Sequence, residues 1–305
     1  PKNYIDKSKN YIDKPKIVAF YGDRKILGIQ EGNDYIFQLL SKNEPCIISR
    51  FGSTELSIVY NYLQIQNNKK NKWNPQNIKA LENNSGFFPA DSQSVTKFSE
   101  VFSENITHID ALGVWFNEAE DIISEKYCSQ AQLIRLESIE PYYHANPWSR
   151  ILENKKVLVV HPFAQSIQKQ YTQNREFLFA DKGVLPVFSL ETIQAVQSLA
   201  ENKKKLPFKT WFEASDYMCR EISKKDFDIA IIGAGAYGLP LASFVKSIGK
   251  QAIHMAGATQ ILFGIWGNRW ENVPNIKKLK NDYWIRPSEE EKPKGAENVE
   301  GACYW

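Results

Sequence analysis

The stretch that most constrains the chain runs from Asp226 to Trp270, DFDIAIIGAGAYGLPLASFVKSIGKQAIHMAGATQILFGIWGNRW. Phe227 to Ile232 is a short apolar run rich in β-favouring residues, the pattern of a buried strand. Gly233, Gly235 and Gly238 follow at once, and Leu239 to Ile248 then reads as a helix. Pro240 sits near the first turn, where its missing N–H does no harm, and Gly249 is a natural stop. Gln251 to Met255 reads as the next strand. A strand, glycine-rich turn, helix and strand in that order predict a parallel α/β unit. Its turn lets backbone N–H groups approach a phosphate beside a helix N-terminus.

The sequence GAGAYG matches a dinucleotide fingerprint in form, but the second strand ends in His254, Met255, Ala256 and Gly257. The carboxylate that would hold an NAD ribose is missing, so the turn predicts a phosphate-bearing ligand other than NAD. A tight turn with no ligand is the plain structural alternative.

The 305 residues suffice for one large α/β domain or two modest ones. With 38 basic and 35 acidic residues the net charge is +3, which gives no field for nucleic acid. The four cysteines, at 46, 128, 219 and 303, have no metal-finger spacing and read as reduced thiols in a cytoplasmic protein. No run approaches ~20 apolar residues, so no transmembrane segment is expected. No signal peptide is visible, and the chain starts at Pro1 without Met, so upstream sequence is expected to be missing.

Residues 3–7 and 10–14 repeat NYIDK, too few copies for a solenoid, and residues 1–33 read as a polar arm. Asp34 to Leu40 has helical periodicity and Pro45 to Ser49 reads as a short buried strand. Arg50-Phe51-Gly52-Ser53-Thr54-Glu55 comes next, opening an apolar helical run from Leu56 to Ile65. Gly52 would permit a tight turn, and Ser53 or Thr54 would cap the helix. Arg50, at the carboxyl end of a strand, would face the crevice where α/β sheets bind ligands, and its guanidinium suits phosphate oxygens. Glu55 fits a first-turn carboxylate favoured by the helix dipole as well as a functional one.

Asn83 to Asp91 reads as a turn-rich pocket wall, and Ile109 to Phe116 as a strand. Glu118 and Glu120 have spacing open to a metal, but their place at a helix start is explained by the dipole. Glu140 to Trp148 reads as the link between two halves, about 34–150 and 151–285, of one domain spanning 34–285. Lys156 to Val160 is a strong strand followed by His161, well placed for ligand contact or proton transfer. Leu185 to Phe188 reads as a short strand, Ser189 to Ala200 as a helix and Trp211 to Ser223 as an amphipathic helix. Residues 286–305 read as a largely solvated extension whose final Cys-Tyr-Trp is apolar enough to dock.

SRFGSTE after an early strand, HPFAQS after a middle strand and IIGAGAYG…AIHMAGATQ near the end together resemble the GT-D type of bacterial glycosyltransferases, over about residues 40–285. The resemblance implies a Rossmann-like, mostly parallel sheet flanked by helices. It implies transfer of a sugar from a nucleoside diphosphate sugar, a UDP-sugar foremost, to a glycan or lipid-linked acceptor in surface polysaccharide or glycoprotein synthesis. The setting would be the cytoplasm, at the inner face of the membrane.

Arg50, Gly52 and Glu55 match the family's Arg-x-Gly-Asp-Gly-Glu motif, while Ser53 replaces its Asp and Thr54 its second Gly. One carboxylate in place of two weakens a site for Mg²⁺ or Mn²⁺ unless substrate phosphates complete the shell. Expected nucleotide-sugar contacts are Arg50, Gly52, Ser53, Gly233, Gly235, Ala236, Tyr237, Gly238, Gly257 and Gln260. Glu55 is expected as base or metal ligand, with His161 in reserve for proton transfer. The alternatives are another nucleotide-binding enzyme, such as a Rossmann oxidoreductase, or a non-catalytic module of a glycan-synthesis complex.

Overall fold

The structure is a computed structural model and describes residues 19–199, 206–293, 295–298 and 301–305. The repeated NYIDK segments lie outside the described residues. In chain order the first half contains β1 (Ala19–Tyr21), β2 (Arg24–Leu27), α1 (Ile29–Ser41), β3 (Cys46–Arg50) and α2 (Ser53–Gln66). It continues with α3 (Pro75–Ser85), α4 (Ser92–Ile106), β4 (Ala111–Val114), α5 (Glu120–Tyr127) and β5 (Gln132–Arg135). Three short 3₁₀ turns between Leu136 and Leu152 lead into the second half. There β6 (Lys156–His161), α6 (Ala164–Leu178), β7 (Ser189–Gln194), α7 (Trp211–Ser223) and β8 (Ile229–Ile232) are followed by α8 (Gly238–Ser247), β9 (Gln251–His254), α9 (Ala258–Leu262) and α10 (Pro274–Leu279).

The nine strands form one sheet in the order β1-β2-β5-β4-β3-β9-β8-β6-β7. Every neighbouring pair is parallel except the β1–β2 hairpin, so the fold is α/β with a mostly parallel sheet. The halves meet where β3 pairs with β9, from Cys46 opposite Gln251 to Ile48 opposite Ile253.

Alternation along the strands explains why helices cover both faces. In β6, Leu158 and Val160 point into one core while Val157 and Val159 point into the other. In β8, Ala230 and Ile232 join the first core, Ile229 and Ile231 the second. Such strands need cover on both sides, and each buried Val or Ile contributes about 1.5–3 kcal/mol. The first core carries Phe87, Phe98 and Trp211; the second carries Trp148 and Trp266. α7 has the predicted bounds and buries Trp211, Ala214, Met218 and Ile222, one face at helical spacing.

Four expectations are corrected. Residues 1–33 are not all a polar arm, since β1 and β2 extend the sheet and α1 begins at Ile29. Ser189 to Gln194 is an edge strand, not a helix, and pairs in parallel with β6 from Lys156 opposite Ser189 to His161 opposite Gln194. Leu, Glu and Gln favour a helix in isolation, but six residues of ladder pairing outweigh that preference. Leu185 to Phe188 is consequently a connector rather than a strand, held by Tyr171, whose hydroxyl donates to Phe188 O at 2.8 Å. The segment after Arg286 is less solvated than expected, since Glu291 and Ala296 are buried, while the docking expected of the final Cys-Tyr-Trp is seen in the burial of Cys303 and Trp305. Glu291 accepts from the N–H groups of Gln165 (2.9 Å) and Ser166 (3.2 Å), capping the first turn of α6. Among the described residues no helix is long and apolar enough to cross a membrane.

Candidate active site

Strands β3, β6, β8 and β9 lie side by side and end at Arg50, His161, Ile232 and His254. A cavity of about 460 Å³ opens over these carboxyl ends. Parallel sheets bind ligands in this kind of crevice, and the volume suits a small molecule.

Arg50 is the centre of the site. Its guanidinium lies 4.3 Å from the centroid of the Trp115 ring. Trp115 is fixed in turn, its indole N–H donating to Phe51 O at 3.0 Å. Among the described residues the guanidinium donates to no acceptor. Burial holds the Arg50 pKa below the usual arginine range, and the nearby Arg269 adds to this, while Glu55 and Tyr304 oppose it. A half-buried guanidinium at a cavity, with no acceptor among the described residues, is suited to meet an anion.

Glu55 occupies the first turn of α2, only 6 % exposed, and lines the same cavity. Gly52 precedes the helix with φ −70° and ψ 138°, extended backbone open to any residue. The glycine matters for a different reason: the Glu55 carboxylate folds back over it, and a Cβ there would push that carboxylate aside. Neither Ser53 nor Thr54 caps α2 as expected. Gly52 takes the N-cap place and no side chain caps the helix. That leaves a helix N-terminus facing the cavity, which both residues line.

The turn after β8 contributes Gly233, Ala234, Gly235 and Tyr237 to the lining. Gly235 has φ +54°, a left-handed conformation that favours glycine. Gly233 is needed for close packing, because a Cβ would lie 2.5 Å from Ala256 O and 2.6 Å from His161 Cδ2. Ala236 and Gly238 stand behind the lining. Ala236 is buried, and the backbone at Gly238 presses on the His254 ring, which a Cβ would strike. Gly257 and Gln260 line the cavity from the start of α9.

His161 is buried, and its Nδ1 accepts from the Phe163 N–H at 3.0 Å. Its proton therefore sits on Nε2, and burial pushes its pKa down to about 3. It can donate a hydrogen bond to a ligand, but in this arrangement it offers no free lone pair for proton abstraction. His254 is similar: its Nδ1 pairs with Ser49 Oγ at 3.0 Å, and burial together with the Arg50 charge pushes its pKa down to about 3.

Glu120, at the start of α5, accepts from the N–H groups of Trp115 (3.1 Å), Phe116 (2.8 Å) and Asn117 (3.3 Å) and from Tyr21 Oη at 2.8 Å. It holds a loop in which Phe116 has φ +61°, and so fixes the Trp115 ring beneath Arg50. This is its role in place of the metal reading. Among the described residues no three His, Cys, Asp or Glu side chains converge on a metal-binding arrangement.

Trp115, Arg269, Tyr304 and Trp305 also line the cavity, though their sequence context marks none of them. Arg269 stacks over Tyr304 at 4.6 Å, and its N–H donates to Cys303 O at 2.8 Å. A signal was present only in the apolar Cys-Tyr-Trp ending.

No protein-family model matches the chain, and no curated protein matches it in sequence. Two solved structures are similar. One is described as a highly conserved domain of unknown function 1792 with a distinct glycosyltransferase fold; it is 13% identical, with 77% of this chain and 79% of that chain covered and a TM-score of 0.43. The other is a selenomethionine-substituted structure of domain of unknown function 1792, 13% identical over 78% and 80% of the two chains, with a TM-score of 0.44. Likeness of this extent leaves the chemistry to be argued from the cavity itself.

Proposed function

We propose that the protein is a glycosyltransferase that takes a sugar from a nucleoside diphosphate sugar and passes it to a glycan or lipid-linked acceptor. The observation that carries this reading is Arg50, stacked on Trp115 at 4.3 Å and donating to no described residue, at the mouth of a strand-end crevice. Arg269, the uncapped start of α2 and the turn from Gly233 to Tyr237 line the same cavity. Two guanidinium groups, a helix N-terminus and a glycine turn together suit a diphosphate.

In sugar transfer the nucleoside diphosphate leaves with negative charge, and the acceptor hydroxyl loses a proton. Arg50 and Arg269 would stabilise the first, being in place before charge develops. Among the described residues Glu55 is the one acidic side chain lining the cavity, and it would take the proton. His161, neutral with its proton on Nε2, would donate to a phosphate or sugar oxygen. If Mg²⁺ or Mn²⁺ takes part, Glu55 would be its single protein carboxylate and substrate phosphates would supply other oxygens, a common arrangement for Mg²⁺. The metal would then supply charge neutralisation at the diphosphate.

The test is a panel of nucleotide sugars incubated with the protein, with Mn²⁺, Mg²⁺ or EDTA, scored for released nucleoside diphosphate by mass spectrometry. Release from one donor, lost in Glu55→Gln while binding persists, is the expected result. Tight binding of a nucleotide sugar that is neither hydrolysed nor transferred with any acceptor would instead describe a non-catalytic module.

A further inference from the structure

The last residues of the chain fold back onto the cavity beside Arg269, which stacks over Tyr304. Asn268 N–H donates to Trp305 O at 3.2 Å, and Arg286 Nη1 reaches the same oxygen at 2.7 Å. Gly267 makes room for this segment, since a Cβ there would lie 2.7 Å from Tyr304 O. Trp305 is thereby held 7 % exposed against the Phe163 ring, with centroids 5.9 Å apart, and it lines the cavity.

Two buried polar atoms in this corner have no hydrogen-bond partner among the described residues: Trp305 Nε1 and Gln260 Oε1. The orientation of the Gln260 amide is fixed chemically. Its Nε2 donates to the carbonyls of Ile265 (3.1 Å) and Tyr304 (3.3 Å), so the remaining atom must be the acceptor oxygen. Gln260 is fully buried and lines the cavity. Buried unpaired donors and acceptors are costly, and a chain that keeps one of each beside a cavity has kept them for something.

We infer that Trp305 and Gln260 form a nucleobase subsite, Trp305 Nε1 donating to a ring or carbonyl acceptor and Gln260 Oε1 accepting from a ring or amino N–H of the same base. A nucleobase carries both kinds of group on one planar edge, and the neighbouring rings of Phe163 and Tyr304 give it apolar surface. The inference rests on the diphosphate reading of the cavity, and adds the group that selects which nucleotide enters.

The experiment separates base from phosphates. Calorimetric dissociation constants are measured for UDP, GDP, ADP, CDP, ribose 5-diphosphate and pyrophosphate. The nucleotide that binds best is then measured against Trp305→Phe, which keeps a ring against Phe163 and removes the N–H. The subsite predicts that this nucleotide binds wild type at least about tenfold more tightly than ribose 5-diphosphate does. It also predicts that Trp305→Phe loses about tenfold for the nucleotide and nothing for pyrophosphate, as expected for one unpaired hydrogen bond. Ribose 5-diphosphate binding as tightly as the best nucleotide overturns the subsite even if the variant fails to fold. So does a variant equally weakened toward nucleotide and pyrophosphate, or weakened toward neither. Failure of wild type to bind any of the six compounds overturns the diphosphate reading itself.

Discussion

Arg50→Lys keeps the positive charge opposite Glu55 and removes the planar fork. In the ligand-free protein the guanidinium donates to no described residue, so no protein hydrogen bond is lost. The change to folding should stay within about 1 kcal/mol, since only stacking on Trp115 is reduced. The cost should appear on binding. A charge-assisted hydrogen bond contributes about 1.5–3 kcal/mol, and an ammonium gives up one of the two that a bidentate contact makes. With weaker stacking the loss should be about 2–3 kcal/mol, or about 30- to 150-fold in dissociation constant. Calorimetry with UDP and pyrophosphate measures binding, and urea unfolding measures stability. The reasoning fails if the variant binds both as tightly as wild type, or if it loses more than about 2 kcal/mol of stability with binding by the folded fraction unchanged. Either result would make Arg50 a scaffold residue.

Three further outcomes follow from the same geometry. Gly235→Ala has open space, with Ser85 O 3.5 Å away, but must hold φ +54°, which costs about 1–2 kcal/mol; Gly233→Ala, with Ala256 O 2.5 Å from the new carbon, should cost more. Thermal melts rank the two, and the opposite order would contradict the packing described. His161, with its pKa pushed down to about 3 by burial, should show neutral imidazole signals by NMR from pH 8 to about pH 4.5; a transition near pH 6.5 would show that the ring is not buried as described. Burial raises Glu140 to about 7 from an ordinary 4.5, partly offset by the Tyr142 hydroxyl at 2.9 Å. Between those values the folded chain keeps a proton that the unfolded chain has released, so Glu140 makes stability fall as pH rises through that interval. Glu140→Gln should flatten the fall in urea titrations, and an unchanged slope would contradict it.

The unit from β8 to β9 was legible because its signals are local: an apolar run, three glycines, a proline in the first turn and a glycine stop, all within about thirty residues. Arg50 and His161 were legible for a similar reason, each standing at the end of a strong strand. β7 was not, because its state is decided by pairing with β6, while its own residues carry no alternation strong enough to mark a strand. Gly52 was singled out for its backbone, but its angles suit any residue, and what a side chain there would disturb is the returning Glu55 carboxylate. Trp115, Arg269 and Trp305 join Arg50 only through the strand order and the fold-back of the last residues, which no local pattern encodes.

The central claim is that the crevice over β3, β6, β8 and β9 holds a diphosphate. A crystal structure of the protein soaked with UDP tests it most directly. The account predicts phosphate oxygens within hydrogen-bonding distance of the Arg50 guanidinium and of backbone N–H groups between Gly233 and Tyr237. Phosphates bound elsewhere on the molecule, with the Arg50 guanidinium unengaged at saturating UDP, would contradict it.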